Sequence, residues 1–188
     1  MNTPDIEMPN NEKRVYFDAV ETPGNQQFVL VDAEHMTNVE TGFTRDDGSP
    51  SIIKNALRMT FATKGNTRWS FVRTWPKAYS PHKLSWYTAL SKAAIGRSPA
   101  AGDNVADLMG KGVMLEIVNS PRVSKAGKEY ETSAIAGKPT QVPHGLPPLN
   151  ADEAMAAYAA ELKRQEDTSA PSQSDVEEVV AESSNMPF

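Results

Sequence analysis

The stretch SIIKNALRMTFATKGNTRWSFVRTW, residues 51–75, decides how this chain is read. Its first half alternates. Ile53, Leu57, Met59 and Phe61 fall on one side of an extended strand, and Lys54, Arg58 and Thr60 on the other. That period of two is expected of a strand with one buried face. Lys64-Gly65-Asn66 supplies a hairpin turn, and Arg68 to Trp75 a second strand. In that strand Thr67, Trp69, Phe71, Arg73 and Trp75 share one face, and Arg68, Ser70, Val72 and Thr74 the other. Alternation alone does not say which face is inside. If the tryptophan row points inward, Trp69 and Phe71 are packing residues, and Arg73 and Trp75 escape at the rim or through a bulge. If it points outward it is a platform, and Val72 goes to the core. Phe71 reads as core. Trp75, beside the strand-ending Pro76, reads as an exposed edge ring. Trp69 fits either role.

Charge is unevenly placed along the chain. From Gly48 to Gly102 there is no Asp or Glu, but there are nine basic residues and all three tryptophans. Phe61, Phe71, Tyr79 and Tyr87 are interleaved with them. A neutral surface normally mixes both signs. The whole chain is acidic, at net −5, but residues 15–50 carry net −6, residues 51–140 net +9, and residues 165–188 net −6. Interleaved cations and flat rings suit a single-stranded nucleic acid, because cations follow phosphates while rings stack on unpaired bases. The plainer reading is a half-buried sheet with core aromatics and solvated Lys and Arg.

The remaining pattern gives an element order. Gln27 to Glu34, with the apolar run Phe28–Val31, reads as a strand, and Gly42 to Pro50 as a loop. Ser80-Pro81 reads as a helix start, with Leu84, Trp86, Tyr87, Leu90, Ala94 and Ile95 on one side and Gly96 as terminator. A loop and a short turn, Val105 to Met109, lead into strands at Val113–Val118 and Tyr130–Ala136, joined by a turn at Ser124–Lys128. The expected organisation is a flexible arm over 1–13, one domain over 14–140, a proline-rich linker over 141–149, a helix over 150–166 and an acidic tail over 167–188.

Three strands, a helix and two further strands form the order of an OB-fold, a small Greek-key barrel that holds oligonucleotides across its second and third strands. The basic, acid-free block covers those strands. The fold class expected is therefore mainly β: a five-stranded OB-fold barrel with a C-terminal helix and tail. The chain ends Glu182-Ser183-Ser184-Asn185-Met186-Pro187-Phe188, after a run of acids. That ending resembles the tail of bacterial and phage single-stranded DNA-binding proteins. Asp107-Leu108-Met109-Gly110-Lys111-Gly112-Val113 and Gly127-Lys128-Glu129-Tyr130-Glu131 resemble a phage branch of the same family. The likeness covers roughly residues 15–140 and the last fifteen. It implies a non-enzymatic protein that coats and protects single-stranded DNA in replication or recombination. It also implies that Met186, Pro187 and Phe188 dock on replication or recombination proteins. In the bacterial family aspartates directly precede an Ile-Pro-Phe tip, whereas here Ser183-Ser184-Asn185 intervenes and Met186 replaces the isoleucine.

On this reading Lys54, Arg58, Arg68, Arg73 and Lys77 neutralise phosphates, and Trp69, Trp75 and Tyr79 are the stacking rings. Trp86 and Tyr87 belong to the helix's apolar side. Self-association is left open. No cofactor is expected. His35, His82 and His144 are scattered, no Walker loop is present, and no serine sits in a nucleophile elbow. There is no cysteine for a disulfide or thiolate, and no apolar run nears the ~18 residues needed to cross a membrane. With no signal-like start, the expected setting is a reducing cytoplasm, that of a bacterial host if the chain is phage-encoded. Two rival readings stand beside this one. One is a small metal-dependent nuclease using Asp32, Glu34 and Asp46. The other is an interaction module of the replication machinery that binds no DNA.

Overall fold

The computed structural model describes residues 15–169. The expected arm over 1–13 and the docking tip Met186-Pro187-Phe188 lie outside them. The chain divides into two units. One is Tyr16–Tyr158; the other, among the described residues, comprises Val15 and the part of the last helix from Ala159 on.

The first unit is mainly β. Six strands, β1 (Gly24–Thr44), β2 (Pro50–Lys64), β3 (Trp69–Arg73), β4 (Lys77–Ala78), β5 (Gly112–Val123) and β6 (Glu129–Thr140), form one antiparallel sheet. Its order is β3-β2-β1-β5-β6, with the two-residue β4 attached to β2. The sheet is not closed by hydrogen bonds: β3 and β6 are its two ends. Helix α1 (Trp86–Ile95) and a 3-10 turn (Val105–Leu108) lie between β4 and β5, and helix α2 (Ala151–Ser169) follows β6. No helix among the described residues is long and apolar enough to cross a membrane.

The alternation in β2 resolves the face question. Leu57, Met59 and Phe61 enter the core with Phe28 and Leu30 of β1, Val72 of β3, and Val113, Leu115 and Ile117 of β5. Pairing of Thr60 with Arg73, Phe61 with Val72 and Ala62 with Phe71 puts Trp69, Phe71 and Arg73 on the opposite, outer face. A register shift between Leu30 and Asp32 leaves Val31 as the extra residue of a bulge. Beyond it Asp32 and Glu34 join the outer face, while Ala33 packs against the core.

Strand β1 is far longer than its apolar run predicts. Its first six residues pair with β5, and from Val29 to Thr44 it pairs with β2. Its outer part, with β2, is therefore a two-stranded arm standing off the sheet. Gly110, at φ 74, is a clasp on the bulge. Its N–H donates to Leu30 O at 2.8 Å, and a Cβ there would meet Ala151 Cβ at 3.3 Å. Only a residue at ease with positive φ and without a side chain fits between β1 and α2.

Helix α1 starts at Trp86 and not at Ser80-Pro81. Its N-cap is Ser85, whose Oγ accepts from Thr88 N at 3.0 Å and donates to Ser80 O at 2.6 Å. Ser80 instead caps a local turn by accepting from His82 N at 3.2 Å. A serine-proline pair is a start signal only where the following residues continue the helix; here a five-residue turn is placed first. Tyr87, Leu90 and Ala93 face the core, and Leu84, ahead of the helix, is exposed.

β3 and β6 approach each other directly, and beside the β2–β3 turn the segment ahead of β1 fills the space left between them. Val20 N donates to Ser133 Oγ on β6 at 2.8 Å, and Asn119 Nδ2 donates to Val20 O at 2.9 Å. On the β3 side Glu21 accepts from Asn66 N at 2.7 Å and from the Thr67 hydroxyl. Those bonds, led by the Thr67 hydroxyl, hold the Glu21 carboxyl below its usual range. The helix expected beyond the proline-rich stretch returns to the sheet, where its Ala154 and Tyr158 are buried. In the second unit the continuing helix carries an Arg164–Glu161 ion pair at 2.7 Å.

Candidate nucleic-acid interface

The outer face of β1, β2 and β3 carries most of the residues expected at a single-strand site, and the structure divides them into an open half and a covered half. Opposite-strand neighbours sit about 5 Å apart, so cross-strand rows describe the surface.

The open half lies toward the arm. In one row Glu34 pairs with Arg58, and their ion pair measures 2.6 Å. Continuing the register of β3 through the Thr74 N to Met59 O bond brings Trp75 level with Arg58. Trp75 is 82 % exposed, the most exposed large apolar side chain among the described residues. A free indole of that size carries a ring face onto which another flat ring can stack. Lys54 lies on the same face two rows further out, whereas Lys77 of β4 pairs with the core-facing Leu57 and so belongs to the other face. Neither makes an ion pair among the described residues.

The covered half lies toward the β2–β3 turn. Arg73 Nε donates to Thr60 Oγ1 at 3.1 Å, and its Nη2 donates to the Tyr158 hydroxyl of α2 at 3.1 Å. Tyr158 in turn donates to Asp32 Oδ2 at 2.9 Å. Burial, first of all, and the neighbouring Asp32 carboxylate push the Tyr158 hydroxyl up, so it stays protonated. Phe71 is only 7 % exposed, and the main core is not what buries it. It lies under Phe17 and Tyr158, at ring-centroid distances of 5.6 and 5.5 Å. Lys64 Nζ is 5.7 Å from the centre of the half-buried Trp69 ring and 3.2 Å from Glu153 of α2.

Arg68 and Tyr79 also fall outside this surface. Arg68 is turned to the filling segment, pairing with Asp18 at 2.7 Å and reaching Glu21 at 4.0 Å. Tyr79 packs on the core edge, T-shaped against Tyr87 at 4.7 Å and against His35 at 6.1 Å. With these neighbours it forms part of the core edge. Burial raises the Tyr87 hydroxyl to about 12, with Tyr79 contributing.

Two further exposed rings stand on the hairpin arms. Phe43, 77 % exposed, stands with Arg45 at the end of the β1–β2 arm. On the second hairpin Tyr130, 48 % exposed, pairs across with Arg122 near Lys125 and Lys128. The signal for Phe43 was an aromatic ring in an otherwise polar loop sequence, Thr41-Gly42-Phe43-Thr44-Arg45.

The nuclease grouping is not assembled. Asp32 accepts from Tyr158 and Glu34 is paired with Arg58. Asp46 is in the tip turn, about 30 Å along the strand from Glu34 at roughly 3.3 Å per residue. Among the described residues no group of three His, Cys, Asp or Glu side chains could hold a metal ion. No family model, no curated protein and no solved structure matches the chain.

Proposed function

We propose that this chain is a non-enzymatic, OB-fold single-stranded DNA-binding protein that coats DNA in replication or recombination. The observation that carries the reading is Trp75, an indole left 82 % exposed just past the end of β3, level with Arg58 by the continued register and on the face of β2 that carries Lys54. Such a ring has no packing role, and cations beside it supply the phosphate contacts that a stacked strand requires.

Strand order supports the fold. Leaving the short β4 aside, the sheet reads third, second, first, fourth, fifth, with a helix between third and fourth. An OB-fold is a partly open barrel of that connectivity, with oligonucleotides held by strands 2 and 3 and by the 1–2 and 4–5 loops. The two arms that correspond to those loops carry Phe43 with Arg45, and Tyr130 with Arg122, Lys125 and Lys128. Met186, Pro187 and Phe188, in the family likeness, recruit partner proteins of replication or recombination; they lie beyond the described residues.

Tryptophan emission followed during titration with a thymidine oligomer of about thirty nucleotides tests the reading, with a duplex of equal length alongside. Quenching by the single strand, weakened by salt and absent with the duplex, is the expected result. No binding at low salt would overturn it and leave a protein-interaction module as the working function.

A further inference from the structure

Helix α2 covers part of the surface just proposed to bind DNA, and its contacts there have a particular chemistry. Glu153 puts a carboxylate 3.2 Å from Lys64 Nζ. The Tyr158 hydroxyl oxygen accepts a hydrogen bond from Arg73 Nη2, while Arg73 Nε donates to Thr60. The Tyr158 ring lies 5.5 Å from Phe71 and 6.2 Å from Phe17. An anion on a lysine, an oxygen acceptor on an arginine and a ring against two rings are what a nucleotide would present to the same residues.

We infer that Lys64, Arg73, Phe17 and Phe71 form a second single-strand subsite, which the first two turns of α2 occupy until DNA displaces them. The inference rests on the proposed function and extends it. With α2 lifted, a phosphate replaces Glu153 on Lys64, a phosphate oxygen replaces Tyr158 on Arg73, and a base replaces the Tyr158 ring on Phe17 and Phe71. Those two rings, 5.6 Å apart, remain as a floor. Lys54, Arg58 and Lys64 share one face of β2, so the subsite prolongs the open half by about 20 Å along the strand.

The connection allows the movement. Residues 141–150, between β6 and α2, form no helix or strand and include Pro143, Gly145, Pro147 and Pro148. Asp32, beneath Tyr158, opposes a polyanion, so the subsite is the weaker of the two. It is filled by strands long enough to have occupied the open half first.

The chain has no cysteine, so a unique pair can lock the cover in place. The full-length Lys64→Cys/Glu153→Cys protein, joined by a short bismaleimide, is compared with its unjoined form on thymidine oligomers of about 10 and about 30 nucleotides. Locking should leave the short oligomer unaffected and weaken the long one by about threefold or more, because the subsite can no longer become competent. Full-length Tyr158→Phe, which keeps the ring but frees Arg73, should bind the long oligomer about 2- to 10-fold more tightly. Equal affinity of locked and unlocked forms for the long oligomer, with no gain in Tyr158→Phe, would make the cover a permanent part of the fold. Failure of the wild-type chain to bind either oligomer would remove the underlying function, and the subsite with it.

Discussion

Arg58 and Glu34 face each other directly across the β1–β2 ladder, with Arg58 Nη2 2.6 Å and Nε 3.0 Å from Glu34 Oε2. The best-placed arginine of the open half is therefore already neutralised. A phosphate arriving at Arg58 competes with a carboxylate, which tempers affinity. Glu34→Gln should raise affinity for a single strand a few-fold. It should also steepen the fall of log K with log salt by about 0.7, the increment for one more phosphate contact. Titrations at several salt concentrations measure both. An unchanged slope would mean that Arg58 touches no phosphate. The half-exposed pair contributes little to folding, about 0.2–1 kcal/mol, so the variant should stay folded.

Trp75→Ala should weaken single-strand binding by about 1–3 kcal/mol, roughly 5- to 150-fold, if one base stacks on the indole. It should change stability by less than about 0.5 kcal/mol, because the ring is almost fully in water. Binding isotherms and a urea melt on the same preparation separate the two effects. Phe43→Ala follows the same logic with a smaller loss.

Ser85→Ala should cost about 1 kcal/mol of unfolding free energy, the usual loss for a serine N-cap. The hydroxyl both accepts from Thr88 N and donates to Ser80 O, so the turn ahead of the helix loosens as well. Ser80→Ala removes only the local bond to His82 N and should cost less. Urea midpoints of the two variants give the order. A larger loss at Ser80 would put the helix start back where the sequence suggests it.

Acid stability carries a signature of Asp103. Its carboxylate is held at about 2 by hydrogen bonds from Arg97 and from Ala100 N, the Arg97 contacts being the larger influence. A carboxyl lowered in the fold stabilises it above its unfolded value near 3.9. That contribution is lost as pH falls through about 2. Asp103→Asn should therefore flatten the pH dependence of the melting temperature between about pH 4 and pH 2. Melts of both proteins across that window decide it.

Sequence reasoning reached the elements governed by local pattern and stopped where distant contacts take over. Alternation in residues 51–63 located β2 and its buried face, and Val72 went inward as one of the two readings allowed. The length of β1 was hidden because its outer half, Met36 to Thr44, is mostly polar and pairs only with β2. Its strand character comes from the partner and not from its own composition. The status of Phe71 was half legible. A buried phenylalanine was expected, but its cover comes from Phe17 and Tyr158, residues 54 and 87 positions away. Charge counting marked Arg68 and Arg73 as cations without seeing their partners, because Asp18, Tyr158 and Thr60 meet them only in three dimensions. Trp75 was legible for a local reason: Pro76 has no N–H to continue the ladder.

The filling of the gap between β3 and β6 has a consequence for how the protein is made. Val20 is among the first described residues to leave the ribosome, but it bonds to Asn119 and Ser133, 99 and 113 positions later. At the usual 5–20 residues per second of synthesis, the segment waits about 5 to 20 seconds for its partners. Closure of so distant a pair is also the slow kind of step, since a long loop must be ordered before any contact rewards it. The earliest-synthesised described segment is therefore among the last to dock. During that interval the free rim of β3 is open to pairing with another nascent chain.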